Sequence, residues 1–220
     1  MATPALDSGA LYDYLAAGRT TFTKRIGNVG DATAFVRVEV AELTYGPDGK
    51  PQERALEGTE RPLIASPSRL IIPPGSYREI RVVYRGGRAA ERYFRLRFVP
   101  VVPRAEEAFG LAQEAREEYQ QAIVADVGVL KAIGGVVLVS PRPALFQTSV
   151  EQHDNQLRVA NRGNTTVVLE GLALCQGPGE CGQGKTVHVR PGKTFTLKGE
   201  KPQRFLFTLI EGKDRRRYTP

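Results

Sequence analysis

Apolar and polar residues alternate with a period of two along most of this chain. Over residues 33–40, Ala34, Val36, Val38 and Val40 share one face while Arg37 and Glu39 take the other, the pattern of a half-buried strand. Over 78–84 the inward set is Ile80, Val82 and Tyr84, with Arg81 outward. Over 92–99 it is Phe94, Leu96 and Phe98, with Arg95 and Arg97 outward. Turn formers separate these runs: Gly27-Asn28-Val29-Gly30, Gly46-Pro47-Asp48-Gly49, Pro73-Pro74-Gly75 and Arg85-Gly86-Gly87. Short strands punctuated at this spacing predict an antiparallel sandwich.

Residues 104–122 break the period. They are rich in Glu, Gln and Ala and hold no β-branched residue, which predicts a short helix or an acidic loop, long for a sandwich connection. The next run, 123–139, is the longest strand candidate. It stops at Ser140-Pro141-Arg142-Pro143, where proline fixes φ and restricts its neighbour. The domain boundary is placed there, giving domains over 1–140 and 141–220. Beyond it, 145–150, 156–160, 165–174, 186–190, 194–198 and 205–210 read as a second set of strands. The fold class expected is all-β, two sandwiches joined by a proline hinge.

Composition narrows the function. With 220 residues, 41% hydrophobic and 25% charged, and a mean hydropathy of -0.30, the chain reads as soluble and globular rather than disordered. The longest apolar run, 132–139, contains the flexible pair Gly134 and Gly135 and falls short of the ~20 residues of a membrane span, so no membrane insertion is expected. The net charge of +7 invites a nucleic-acid partner. Its distribution argues against one. Arg69, Arg78, Arg81, Arg85, Arg88, Arg92, Arg95 and Arg97 crowd one third of the chain, the following segment is acidic, and no nucleic-acid-binding motif accompanies them. These arginines read as solvated strand faces, or as a surface for a protein or a carboxylate-bearing partner.

Cys175 and Cys181 are the only cysteines, and Gln-Gly-Pro-Gly-Glu between them lets the chain double back. A hairpin disulfide follows more naturally than two unpaired thiols. The disulfide implies an oxidising compartment such as the periplasm or exterior, whereas the opening MATPALDSGALYDYL shows no basic-then-apolar secretion signature from which to argue. Neither His153 nor His188 stands beside a nucleophile or a ligand set, and both read as surface residues. No catalytic residue, metal site or cofactor is expected.

Ser66-Pro67-Ser68-Arg69-Leu70-Ile71-Ile72-Pro73-Pro74-Gly75, then Ile80-Arg81-Val82, then Glu91-Arg92-Tyr93-Phe94-Arg95-Leu96-Arg97-Phe98-Val99-Pro100 resembles the amino-terminal domain of periplasmic pilus chaperones of the chaperone-usher pathway. Ala160-Asn161-Arg162-Gly163-Asn164-Thr165 with the 175–181 hairpin looks like the alternate, colonisation-factor class of that family. The resemblance implies two immunoglobulin-like β-sandwich domains in a boomerang (L-shaped) arrangement, and a periplasmic, non-enzymatic chaperone. It would stabilise pilin subunits by donor-strand complementation and deliver them to an outer-membrane usher. The donor strand would be the run from Ile123, on which Ala125, Val127, Val129, Lys131 and Ile133 share a face. Val127 and Val129 would fill the subunit's groove, with Ile123 and Ile133 extending it; the alternative is an ordinary core strand. Self-association through the same strand would mask it in the free protein.

The family anchors the subunit's terminal carboxylate with two basic residues, for which Lys131 and Arg19 are the candidates here. The match departs from the pattern: Arg19 follows the turn-like Ala16-Ala17-Gly18 instead of preceding it, and Lys131 lies far from the hinge prolines. Arg142 matches the family's hinge arginine, with Glu211 and Glu91 as candidate partners across the domains. After Ile210 only EGKDRRRYTP remains, so the second sandwich is expected to lack a final strand or to end in a disordered basic tail. Competing readings are a two-domain extracellular adhesion or carbohydrate-binding module using the arginine-rich face or Tyr77, Tyr84 and Tyr93, and an enzyme built on a sandwich scaffold.

Overall fold

The computed structural model describes residues 3–56, 61–103, 109–110, 112–114, 117, 119, 131–153, 155–177, 180–199 and 204–219. The chain divides into two compact units, Met1–Gly87 with Arg92–Val139, and Arg88–Glu91 with Ser140–Pro220. The first contains β1 (Leu6–Asp7), β2 (Tyr12–Leu15), β3 (Thr21–Asn28), β4 (Ala34–Tyr45), β5 (Pro51–Ala55), β6 (Leu63–Ser66), β7 (Arg69–Ile72), β8 (Tyr77–Tyr84), β9 (Arg92–Pro100) and β10 (Ile133–Val139). The second contains β11 (Thr148–His153), β12 (Gln156–Asn161), β13 (Val167–Gly177), β14 (Glu180–Cys181), β15 (Lys185–Val189), β16 (Thr194–Lys198), β17 (Arg204–Glu211) and β18 (Asp214–Tyr218).

In the first unit, a sheet ordered β1-β3-β8-β6 faces one ordered β2-β10-β9-β4-β5, with β7 also paired to β4. The alternation along β4, β8 and β9 sets the inward faces. Val36, Val38, Ile80, Val82, Tyr84, Phe94, Leu96 and Phe98 form one buried cluster with Ile26, Leu63 and Val137 from neighbouring strands. Burying such side chains is worth roughly 1.5–3 kcal/mol each. The second unit repeats the plan with sheets β11-β12-β16 and β14-β13-β17-β18, β15 also pairing with β13. Leu157, Val159, Val167, Leu169, Leu172, Phe205, Phe207 and Leu209 fill its interior.

Two local features depart from the sequence expectation. In β13 the register slips between Glu170 and Ala173, and Gly171 takes φ 65. This bulge moves the inward set from Val167 and Leu169 to Leu172, so a strict period of two fails within the strand. The basic tail is neither missing a strand nor loose. β18 returns antiparallel along β17 through a two-residue turn at Gly212-Lys213, with Gly212 at φ 63 as a tight hairpin turn requires, and Tyr218 stacks on Phe207 at 4.6 Å. Between β9 and β10, the described residues Phe109 and Tyr119 pack edge-on against Phe35, and the Tyr119 hydroxyl donates to the Thr33 carbonyl at 2.7 Å. Burial pushes that phenol's pKa up to about 12.

Both units use the same polar pin. Asn28 donates to the Ala32 and Ile72 carbonyls and accepts from the amides of Ala5 and Gly30. In the second unit Asn161 donates to the Thr165 and Val189 carbonyls and accepts from the Gly163 amide. Both asparagines are 1% exposed, so their hydrogen bonds replace the water that the buried backbone groups would otherwise need. The Asn161-Arg162-Gly163 motif is therefore a loop clamp. Asn161→Ala leaves two buried carbonyls and an amide unpaired, and is expected to lower stability in urea denaturation by roughly 2–4 kcal/mol. A change below about 0.5 kcal/mol would refute the clamp.

Candidate functional site

Strand β10 lies between unequal neighbours. On one side β9 pairs with it along its whole length, Ile133 opposite Phe98 through Val139 opposite Arg92. On the other side β2 runs parallel to it, pairing Val136–Val139 with Tyr12–Leu15. The Val136 amide donates to the Leu11 carbonyl at 2.8 Å. Ahead of Val136 this edge has no partner strand among the described residues.

The sequence of β10 follows from this placement. Val137 and Val139 face the main core, while Val136 and Leu138 pack with Leu43 and Tyr93 on the opposite face. A strand covered on both faces reads as a continuous apolar run. The two glycines before it are set by crowding: a Cβ on Gly134 would lie 2.4 Å from the Leu96 carbonyl oxygen, and one on Gly135 2.7 Å from that of Leu11. Read from sequence as flexibility, the pair instead permits close approach of backbone on both sides of the strand.

Of the residues expected to bind a partner, Ile123, Val127 and Val129 lie outside the described residues. Lys131 is exposed just ahead of β10, and Ile133 opens the strand, partly buried against the first core. Arg19 is exposed in the turn after β2, where its amide donates to the Ala16 carbonyl at 2.9 Å. Lys24, passed over in sequence, is the buried cation of this region. It is 5% exposed and donates to Asp13 at 2.8 Å and to the Ala10 carbonyl at 2.6 Å, tying β3 to β2. The signal was there: Lys24 falls between Phe22 and Ile26 on an inward face.

Arg142, Glu91 and Glu211 all belong to the second unit. The Arg142 amide donates to the Arg88 carbonyl at 2.8 Å, and Glu91 accepts from the Thr166 amide at 2.9 Å and its hydroxyl at 2.6 Å. Glu211 closes the β17–β18 hairpin opposite Asp214. Cys175 and Cys181 are disulfide-bonded, directly opposed on β13 and β14. His188 is half-buried, not a surface residue. Tyr77, Tyr84 and Tyr93 do not make one exposed face, because Tyr84 is 3% exposed and Tyr93 packs beside Leu43.

Some of the outward arginines are paired with acidic residues. Glu53 of β5 pairs with both Arg95 and Arg97 of β9, at 3.4 and 2.5 Å, and Arg37 pairs with Glu39 at 2.9 Å. The described residues contain no cluster of acidic, histidine or cysteine side chains able to hold a metal.

No protein-family model matches the chain. It is 25% identical over 195 residues to the probable fimbrial chaperone EcpB of Klebsiella pneumoniae, an alignment covering 86% of this chain and 79% of that one. The chain is thus similar to fimbrial chaperones along most of its length. Among solved structures, the class 5 fimbriae chaperone CfaA shares its fold at a TM-score of 0.59 and 14% identity, over 98% of this chain and 100% of that one. The CsuC-CsuE chaperone-tip adhesion subunit complex of Acinetobacter baumannii gives 0.55 and 14%, over 99% and 97%. The CupB2 chaperone of Pseudomonas aeruginosa gives 0.56 and 12%, over 96% and 98%. Beside this likeness, the half-covered edge of β10 is the feature to explain.

Burial lowers the His188 pKa to about 4, below its ordinary value near 6.5. The unfolded chain therefore binds the extra proton first as pH falls. His188 contributes stability that is fully present above about pH 6.5 and lost progressively down to about pH 4. His188→Gln should flatten that part of a plot of denaturation midpoint against pH; an unchanged slope would show that other groups govern it.

Proposed function

We propose that this protein stabilises fimbrial subunits by lending them a strand, using the start of β10 and the residues leading into it. The observation that carries this reading is the edge of β10, which β2 covers from Val136 onward and leaves without a partner strand ahead of it among the described residues. An extended segment laid against an incomplete sandwich satisfies the partner's unpaired amides and carbonyls, while alternate side chains fill its apolar groove. The run 123–133 has the required chemistry, with Ile123, Val127, Val129 and Ile133 at alternating positions and no proline.

Lys131, next to that edge, is our candidate for receiving the subunit's terminal carboxylate, with Arg19 as the second cation. A desolvated carboxylate needs charge-assisted hydrogen bonds of this kind. Transfer to an outer-membrane usher and a periplasmic location belong to the same reading, and the Cys175–Cys181 disulfide accords with an oxidising compartment. Without a subunit, the same strand would pair with a second copy. Arg142, Glu91 and Glu211 would have a structural role rather than a subunit-binding one. The reading assigns no reaction to the protein.

The test is co-expression with a co-encoded fimbrial subunit. Val127→Asp together with Val129→Asp places charges where an apolar groove must be filled. Soluble subunit is expected to fall by about tenfold or more, with the purified variant retaining its parent's circular dichroism and melting curve. Undiminished subunit from a folded variant would sink the proposal.

A further inference from the structure

Ions close one end of the first unit's core. On β4, Glu42 continues the inward series of Val36, Val38 and Val40, yet carries a carboxylate that is only 9% exposed. Arg54, directly opposite on β5, donates to it at 2.5 Å, and Arg92 donates through Nε at 2.8 Å and through a second nitrogen. Burial acts to raise the Glu42 pKa, but the hydrogen bonds and charges of Arg54 and Arg92 outweigh it and hold the carboxyl below its ordinary value. Gly86 allows the cluster to pack, since a Cβ there would lie 2.5 Å from the Tyr84 hydroxyl and 2.8 Å from Arg92.

A pocket of about 800 Å³ opens beyond this cluster, with Arg61 and Arg85 on its wall beside Arg54, Arg92 and Glu42. Four cations thus meet one anion. Arg54 and Arg92 are committed to Glu42, whereas the guanidinium groups of Arg61 and Arg85 have no hydrogen-bond or ion-pair partner among the described residues. Their backbones are fixed by the bond from the Arg85 amide to the Pro62 carbonyl at 2.8 Å, which extends the β6–β8 ladder by one step. Leu56 and Ile64 add apolar wall between the arginines.

The pocket sits where both sheets end. β5 is the outer strand of one sheet and β6 of the other, and every residue of β5 is exposed. The outer edge of β5 has no strand partner among the described residues, so it offers backbone hydrogen bonds to an incoming chain. Paired guanidinium groups select planar oxyanions. A bare inorganic oxyanion would leave most of this volume, the apolar wall and the free edge unused, whereas a short acidic peptide engages all three.

We propose that this pocket is a second binding site, which receives an extended acidic peptide segment of a partner protein, its carboxylate held by Arg61 and Arg85. The elements that build it are distinct from β2 and β10, so the inference stands apart from strand donation.

The test is fluorescence anisotropy of the full chain with fluorescein-labelled Val-Glu-Val-Glu-Val-amide, its Gln counterpart, and inorganic phosphate as competitor. Arg61→Glu with Arg85→Glu is compared with Arg69→Glu plus Arg81→Glu, an equal change in charge at exposed strand positions away from the pocket. The Glu peptide should bind saturably and outbind the Gln peptide. The pocket variant should lose about tenfold or more in affinity, the scale of one charge-assisted contact, and the control about twofold or less. Absence of saturable binding, equal binding of the two peptides, or equal loss in the two variants would overturn the proposal. Complete displacement by phosphate at peptide-like concentrations would overturn its peptide part and leave an oxyanion site.

Discussion

Backbone pairing along β10 is the constraint on which the first unit depends. A strand buried on both faces must satisfy its amides and carbonyls through its neighbours, and β9 meets that need along one edge only. The amino-terminal segment supplies part of the other. It starts in the four-stranded sheet as β1, beside β3, and crosses to the six-stranded sheet as β2, beside β10. The Lys24–Asp13 pair holds the crossing strand to the first sheet, and Gly135 lets the Leu11 carbonyl reach the Val136 amide. Because β2 is only four residues long, closure stops at Val136. An incompletely closed edge is therefore a product of how this sandwich is assembled.

Charge plays a different part from the one its total implies. The excess of basic residues is not spread as a uniform surface, because Glu53, Glu39 and Glu42 each draw arginines into specific pairs. Exposed pairs of this kind contribute little to stability, commonly below about 1 kcal/mol, but they neutralise the sheet face on which they lie. At Glu42 the balance differs, because a nearly buried carboxylate without its arginines would cost several times that amount. Arginine thus serves here as a matched partner at Glu42 and Glu53, and Arg61 and Arg85, unpaired among the described residues, gain meaning from standing beside matched neighbours.

Much of this was legible in the sequence wherever alternation ran unbroken. β4, β8 and β9 bury the residues that their period marked, because each has one face on the core and one in solvent. β10 resisted that reading since both its faces are covered, and a continuous apolar run carries no period. β13 resisted it because Gly171 inserts a bulge and reverses the parity. The tail 211–218 looked too polar for a strand, yet as an edge strand it needs only Tyr218 on the core side to hold it. At the candidate site, apolar donor positions could be named from alternation. Lys24, the cation that ties β3 to β2, was marked by the same alternation, between Phe22 and Ile26, but a charge on an inward position runs against the pattern that the other strands follow.

The second unit sharpens why the edge of β10 is the one to use. The two outer strands of its larger sheet are guarded: β18 carries Arg215, Arg216 and Arg217 in succession, and short β14 is stapled to β13 by the Cys175–Cys181 bond. Charged or very short edges resist pairing with other chains. In the first unit β6 is four residues between Pro62 and Pro67. The open part of β10 has neither protection, since Ile133, Gly134 and Gly135 offer no charge and no proline. Such an edge is an aggregation hazard in an isolated protein and an asset in one that must pair with an incomplete sheet. This unprotected edge follows directly from the alternating apolar run 123–133, the sequence arrangement that strand donation would use.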